Sequence, residues 1–508
     1  MKPTYAYLVL ILLLVGSCRK DFEGDAVTTD APETYMIVDS VKRDTVHFLI
    51  TTVKAYWWGS APKGFIKGYE VSTDNMQSWK FTTDQSGTFL LNLPLGVKKG
   101  EFPVYVRAID NRGTVDPTPA RMVFPIENSI PRVGLDASLP MPDNSFPVIK
   151  MNWIASDIDG LGDLDHYDLV WNDTSNGLFA LPGTVMDAAI SDTSASVSVR
   201  IEGQRNNGVF ISGCLVYTGS KITPQPGVMD GLLYNAKNTL FIRAVDKTGN
   251  TSAWVKDSLF VKRPASDIVL VNALYANSAL IQNFYTGRLA GSMVDRDSLE
   301  ILRGVNSLSG NSELYADALT QKRTFNLFKH ILWLTDDPNT LNTAQLTTAD
   351  FFNQGGTMFI YAQFGDDFPV NAQVLSFTPA QKLVDPASNP TIINGRFRMD
   401  NSSSALPVLS GWPALQFNGP ITAARPFITN PTSSGIYQYD SLMYAVLRVQ
   451  TSTGSPVWDG PSTMMSRRVR ISAGKADMIL STLPLQYLNG NNNIDSLFKH
   501  VFIDELAF

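Results

Sequence analysis

Hydrophobic positions recur along this chain with three spacings, and each predicts a different element. Near the start, Ala6 to Val15 is almost unbroken apolar sequence. Ten residues rise only about 15 Å as a helix, about half the hydrocarbon core of a bilayer. That length predicts the core of a signal peptide rather than a membrane span. Further on, apolar and polar residues alternate, as from Val104 to Asp110 and from Leu240 to Asp246, which predicts half-buried strands. After Pro264 the pattern changes. Asp267–Asn272, Ile331–Leu334 and Thr357–Ala362 are short, nearly continuous apolar runs, as in parallel strands buried on both faces. Leu346 to Gln354 predicts a helix, with Thr347 and Asp350 as a capping box and Gly355-Gly356 as its end. Ile494, Leu497, Phe498, Val501 and Phe502 fall on one face of a last helix. Strands alternating with helices imply an α/β domain with a mostly parallel sheet over residues 265–508.

The alternating half contains a repeat. Residues 104–116 (VYVRAIDNRGTVD) and 240–252 (LFIRAVDKTGNTS) each give a strand closed by an Asp-x-x-Gly turn, with Arg107 aligned to Arg243. Upstream, Trp57 corresponds to Trp153 and Gly64 to Gly160. The upstream pairs lie closer together than the downstream ones, so the second copy carries about 40 extra residues between these strands. A tryptophan on an early strand and a closing hairpin predict a β-sandwich. RAIDNRG and RAVDKTG resemble the closing hairpin of fibronectin type III and related immunoglobulin-like modules of secreted bacterial proteins, over residues 36–128 and 132–263. That resemblance implies spacers or binding units.

Composition narrows the function classes. The chain has 508 residues, 44% of them hydrophobic, which is enough for several cores. Its net charge of −6 argues against a protein that neutralises nucleic-acid phosphates. Two cysteines exclude a disulfide scaffold and a multi-cysteine zinc site. One of them closes Val15-Gly16-Ser17-Cys18, which resembles the lipobox of bacterial lipoproteins. The resemblance implies removal of residues 1–17, acylation of Cys18 and a membrane partner held through the N-terminal lipid. The following Arg19-Lys20-Asp21-Phe22-Glu23-Gly24-Asp25 resembles the acidic export tract of Bacteroidota surface lipoproteins. It implies an outer-membrane lipoprotein of the cell envelope, exposed on the surface. Residues 18–35 then read as a polar tether. Cys214, in a β-rich run, reads as a buried strand cysteine.

In the last segment, DIVLVN, KHILWLTDD, ADFFNQGGTMFIYA and ADMILSTLPLQYL resemble, in order, the class I glutamine amidotransferase-like fold, a flavodoxin-like architecture. Active members place a cysteine on a tight elbow after the third of these strands. Here Ile360 to Gly365 offers Ala362, Gln363 or Phe364, residues 265–508 hold no cysteine, and the only histidines there are His330 and His500. No nucleophile–base pair is legible, so a non-catalytic domain is expected. Open α/β sheets bind ligands at the carboxyl ends of their strands. Asp336, Asp337, Gln363, Asp366 and Asp367 are therefore the candidate ligand site, and as paired carboxylates they are the basis of an alternative reading as an envelope hydrolase. Asp157, Asp159, Asp163 and Asp165, bent by Gly160 and Gly162, form a candidate Ca²⁺ loop. No other cofactor is expected. Tyr56 and Trp58 are a candidate aromatic platform on the face opposite Trp57. The expectation is a multidomain envelope protein in which two β-sandwiches present an α/β domain to a glycan or protein ligand.

Overall fold

The computed structural model describes residues 30–43, 50–276, 278–291, 300–303, 317–389, 392, 394–431 and 435–508. The expected signal peptide, Cys18 and most of the expected tether lie outside them. Among the described residues no helix is long and apolar enough to cross a membrane. Packing divides the chain into two compact units. One comprises the described residues up to Ile130 with Ile158–Asp163 and Lys247–Asn250. The other comprises Pro131–Asp157, Leu164–Asp246 and Thr251–Phe508.

The first sandwich is built from β1 (Glu33–Arg43), β2 (Ile50–Ser60), β3 (Ile66–Ser72), β4 (Lys80–Thr82), β5 (Ser86–Asn92), β6 (Lys99–Asp110) and β7 (Ala120–Glu127). One sheet has the order β1-β2-β5, the other β4-β3-β6-β7. Trp57 fills the core, edge-on to Tyr69 and tilted against Phe89, and its indole N–H donates to the Asp84 carbonyl at 2.8 Å. Strand β1 starts inside the segment expected to be tether. Thr34 is buried, and its hydroxyl accepts a hydrogen bond from the Ala108 N–H, which fixes these residues as strand.

The second sandwich repeats the plan with β8 (Arg132–Leu135), β9 (Asn144–Ser145), β10 (Val148–Ser156), β11 (Leu164–Trp171), β12 (Phe179–Pro182), β13 (Ala188–Ser191), β14 (Ser194–Asn206), β15 (Val209–Thr218), β16 (Ala236–Asp246) and β17 (Val255–Val261). Its sheets run β13-β14-β10-β8, with β15 on β14, and β12-β11-β16-β17-β9. Trp153 takes the place of Trp57 and meets Tyr167 edge-on at 5.4 Å. The extra residues supply β13, β15 and the loop after it. Asn207 and Gly208 turn β14 into β15, both with positive φ, as a two-residue hairpin requires. Cys214 is wholly buried on β15, and burial pushes its thiol up to about 12.

The remaining strands are β18 (Ile268–Ala273), β19 (Glu300–Arg303), β20 (His330–Thr335), β21 (Thr357–Ala362), β22 (Ala380–Leu383), β23 (Arg396–Met399), β24 (Ser404–Pro407), β25 (Leu415–Gln416), β26 (Thr422–Ala423), β27 (Phe427–Thr429), β28 (Tyr437–Val446), β29 (Arg448–Gln450), β30 (Thr463–Arg470) and β31 (Lys475–Ser481). The helices are α1 (Ser278–Gly291), α2 (Ala318–Phe325), α3 (Leu341–Thr347), α4 (Ala349–Asn353) and α5 (Ile494–Phe498), the last running on as a π-helix to Glu505. The large sheet has the order β19-β18-β20-β21-β31-β30-β28-β24-β25.

Only the stretch from β19 to β31 is parallel; β30, β28, β24 and β25 continue it antiparallel, and β22 and β27 join at the side. The expected mostly parallel sheet is thus a mixed one. Parallel neighbours need a long crossover, whereas β30 and β31 are joined by a tight turn at Gly474 (φ +63°), which dictates an antiparallel pair. The apolar runs are buried on both faces as their composition requires. Leu270, Leu332, Leu334 and Phe359 pack on one side with Tyr285 of α1 and Phe498 of α5. Val269, Val271, Trp333 and Ile360 pack on the other with Phe325 of α2 and Phe351 of α4. Phe146, from the second sandwich, joins that second core and meets Phe328 edge-on at 5.0 Å.

The helix expected over Leu346–Gln354 is two short helices broken at Thr348. The Thr347 hydroxyl donates to the Thr343 carbonyl rather than capping, because the preceding turn is already helical. Gly355, at φ +88°, ends α4 as expected.

Candidate functional site

In the parallel part the chain visits the strand positions in the order second, first, third, fourth, fifth, so its direction reverses between β18 and β20. At such a reversal the two following loops diverge and leave a crevice at the carboxyl edge. Here the loops are tied together. The Asp336 carboxylate, just past β20, accepts from the Tyr275 N–H at 2.7 Å and the Ala276 N–H at 2.6 Å, just past β18. Asp337 is engaged locally instead. Its carboxylate accepts from the Asn339 backbone and side-chain amides at 3.0 and 2.9 Å and caps the following 3₁₀ turn. Pro338 at the first position of that turn supplies the fixed φ it needs.

Asp366, past β21, is gripped by both terminal nitrogens of Arg398 at 2.8 and 3.1 Å, and Arg396 lies at 3.8 Å. The Arg398 guanidinium holds its carboxyl below the usual range. Buried Arg425 donates to the carbonyls of Gly365 (2.7 Å), Asp366 (3.3 Å) and Phe368 (2.7 Å) and so fixes that loop. Asp367 lies in the same turn. The Gln363 N–H extends the β20–β21 ladder by donating to the Thr335 carbonyl. Among the described residues these carboxylates do not bring three ligand atoms within 4.8 Å of one another.

The expected elbow is not a strained one. Among the described residues, no non-glycine residue from 360 to 368 has a positive φ, and Phe364 turns into the core. His330 sits at the opposite, amino end of β20. Its Nδ1 meets the Thr357 hydroxyl at 2.8 Å, its ring lies against Phe508, and burial lowers its pKa to about 4. His500 pairs with Asp504 at 2.8 Å and stacks on Trp412.

The acidic loop is buried apart from one member. Asp157 and Asp163 lie inside, as does Asp246 of β16. Asp159 is also buried and accepts from the Ser129 N–H, while the Asn128 side-chain amide donates to Asp163 at 2.7 Å. Asp165 leaves the group. It follows Leu164, which points into the core, so the pleat turns Asp165 outward to His166 at 2.7 Å. Asp246 pairs in register with Leu164. In the first sandwich the equivalent Asp110 is met by its own Arg112, at 3.0 and 2.8 Å; the second copy has Thr248 at that position.

Tyr56 and Trp58 are exposed on the outer face of β2, as alternation predicts. The ring faces are in use. Tyr35 of β1 stacks on Trp58 at 5.6 Å and 18°, and the Lys54 ammonium lies 4.9 Å over the Tyr56 ring.

No family model and no curated protein matches this chain. Among solved structures it is similar to the fibronectin(III)-like modules of Clostridium thermocellum CbhA, at 15% identity over 45% of this chain and 95% of that one, with a TM-score of 0.15. It is similar to a segment of two fibronectin type-III domains from chicken tenascin, at 10% identity over 46% and 100%, with a TM-score of 0.20. It is also similar to the PKD1 domain of Vibrio anguillarum Epp, at 14% identity over 19% and 94%, with a TM-score of 0.13.

One exposed aromatic beside the candidate platform escaped the sequence. Tyr35 lay inside the expected tether, and its signal was the alternation of Tyr35 and Ile37 with Thr34 and Met36.

Proposed function

We propose that this chain is a cell-envelope lipoprotein, acylated at Cys18 and held in the outer membrane with its folded part on the cell surface, that acts by binding rather than by catalysis. Its α/β segment is read as a flavodoxin-like domain related in design to the class I glutamine amidotransferase-like fold, supported by the second-first-third-fourth-fifth strand order of the parallel part. The observation that carries the non-catalytic reading is the occupation of the crevice by Asp336. A carboxylate that already accepts two backbone N–H groups has both oxygens engaged, and the amides that would otherwise greet a ligand's oxygen are used. Asp337 and Asp366 are likewise committed, to a cap and to Arg398. This weighs against the hydrolase alternative, which needs carboxylates aimed at one substrate.

The ligand class is a glycan or a protein; a chain of net charge −6 is a poor partner for nucleic acid. The test is a glycan array and a surface-protein pull-down with the acylated full chain, run beside amidase, esterase and glycosidase assays. Binding without turnover supports the reading. Turnover that Asp336→Asn abolishes without unfolding the domain would overturn it. For the anchor, Cys18→Ala is expected to release the protein from membranes; partition unchanged after a salt wash would refute acylation.

A second reading concerns the acidic cluster. The loop residues Asp157, Asp159, Asp163 and Asp165 supply hard oxygen donors only, which suits Ca²⁺ and not zinc.

A further inference from the structure

The outer face of the β1-β2-β5 sheet is apolar at one end. Register places Tyr35 opposite Trp58 and Ile37 opposite Tyr56. All four are exposed, from 39% for Tyr56 to 54% for Ile37. Along the same face Leu90 of β5, opposite Thr52, is 71% exposed. Glu33, Ser60, Ser86 and Lys54 form the polar rim around the four. A contiguous apolar patch with a polar rim is the signature of a contact surface.

Its position on the chain says which contact. Tyr35 and Ile37 are in the first half of β1, and Trp58 and Tyr56 are at the end of β2, so the patch lies at the end of the sheet where the chain enters from the tether. Fourteen residues separate Cys18 from Glu33, and a stretch of that length can span at most about 50 Å. An acylated Cys18 therefore keeps this face within a short reach of the bilayer at high effective concentration. Trp and Tyr, with an apolar body and a polar tip, concentrate where headgroups meet acyl chains. A sugar platform would need open ring faces, and Tyr35 and Lys54 already cover one face each of Trp58 and Tyr56.

We propose that Tyr35, Ile37, Tyr56 and Trp58 form a membrane-resting face that seats the first sandwich in the phospholipid interface beside the lipid anchor. This rests on the acylation of Cys18 proposed above. The test is reconstitution of the acylated full chain into phosphatidylcholine vesicles with brominated acyl chains, comparing wild type with Trp58→Phe. Trp58 is exposed, so the variant keeps its core, and an unchanged melting temperature checks that. Of nine tryptophans, only Trp58 is expected to be near the lipid. Bromolipid quenching should therefore be larger in wild type by about one tryptophan's share, and Ile37→Ser should reduce it. Equal quenching in both proteins, with the protein co-sedimenting with the vesicles, would overturn the face and leave the anchor intact. Failure to co-sediment would overturn the anchor and the face with it. Shielding of Trp58 by a soluble polysaccharide, without bromolipid quenching, would make the face a glycan site and also overturn the proposal.

Discussion

Arg323 of α2 clasps Glu202 of β14, a partner 121 residues earlier in the chain, with Nε at 2.9 and 3.2 Å and a terminal nitrogen at 2.9 Å. Arg200 approaches the same carboxylate at 2.6 Å and lies over the Tyr217 ring. With Phe146 in the core beneath the α/β sheet, this makes the second sandwich and the α/β segment one body.

Removing the clasp should loosen that body. Arg323→Ala takes two charge-assisted hydrogen bonds from a mostly buried carboxylate and is expected to cost about 1–3 kcal/mol. Arg323→Lys should recover only part, since an ammonium cannot reproduce the fork. Urea unfolding followed by tryptophan emission reads both. An unchanged midpoint in Arg323→Ala would show the contact to be idle.

Asp336→Asn should weaken the tie between the loops after β18 and β20 by about 1–2 kcal/mol, the usual scale for a lost carboxylate cap. Amide exchange at Tyr275 and Ala276 should speed up while exchange within β20 stays slow. Uniform acceleration across the sheet would point to global destabilisation instead.

His330 gives a pH signature. Its folded pKa lies near 4, against an ordinary 6.5, because burial among Thr357 and Phe508 disfavours the charged ring, and Lys329 opposes protonation while Asp267 favours it. Between those values the unfolded chain binds a proton that the folded chain does not. Stability therefore rises with pH across that window and falls as pH drops from 6.5 toward 4. His330→Gln should flatten this part of the stability–pH curve. An equal slope in the variant would assign the effect to other groups.

Calcium should raise the melting temperature of the full chain. A ligand of the native state at about a hundred times its Kd contributes roughly 2.7 kcal/mol. Asp163→Asn, in the buried part of the loop, should abolish the rise, and Asp165→Asn should leave it unchanged, because Asp165 faces His166. A rise that survives Asp163→Asn would place the ion elsewhere.

Local pattern determined much of this protein. Alternation and the repeated Asp-x-x-Gly turns settle the strands and hairpins of both sandwiches, because a pleat has a period of two and Gly113 and Gly249 must take positive φ. Continuous apolar runs settle β18, β20 and β21, and the spacing from Ile494 to Phe502 settles the buried face of the last helix. Tertiary structure decided what local pattern does not encode, namely which distant groups meet. Asp246 sits opposite Leu164 because strand register, not sequence proximity, decides which residues meet. The sheet became mixed because the residues between β21 and β31 pair as antiparallel strands, which a scan for apolar runs does not register. Asp336 and Asp366 became a loop tie and an arginine partner because the amides and guanidinium that satisfy them come from 60 and 32 residues away.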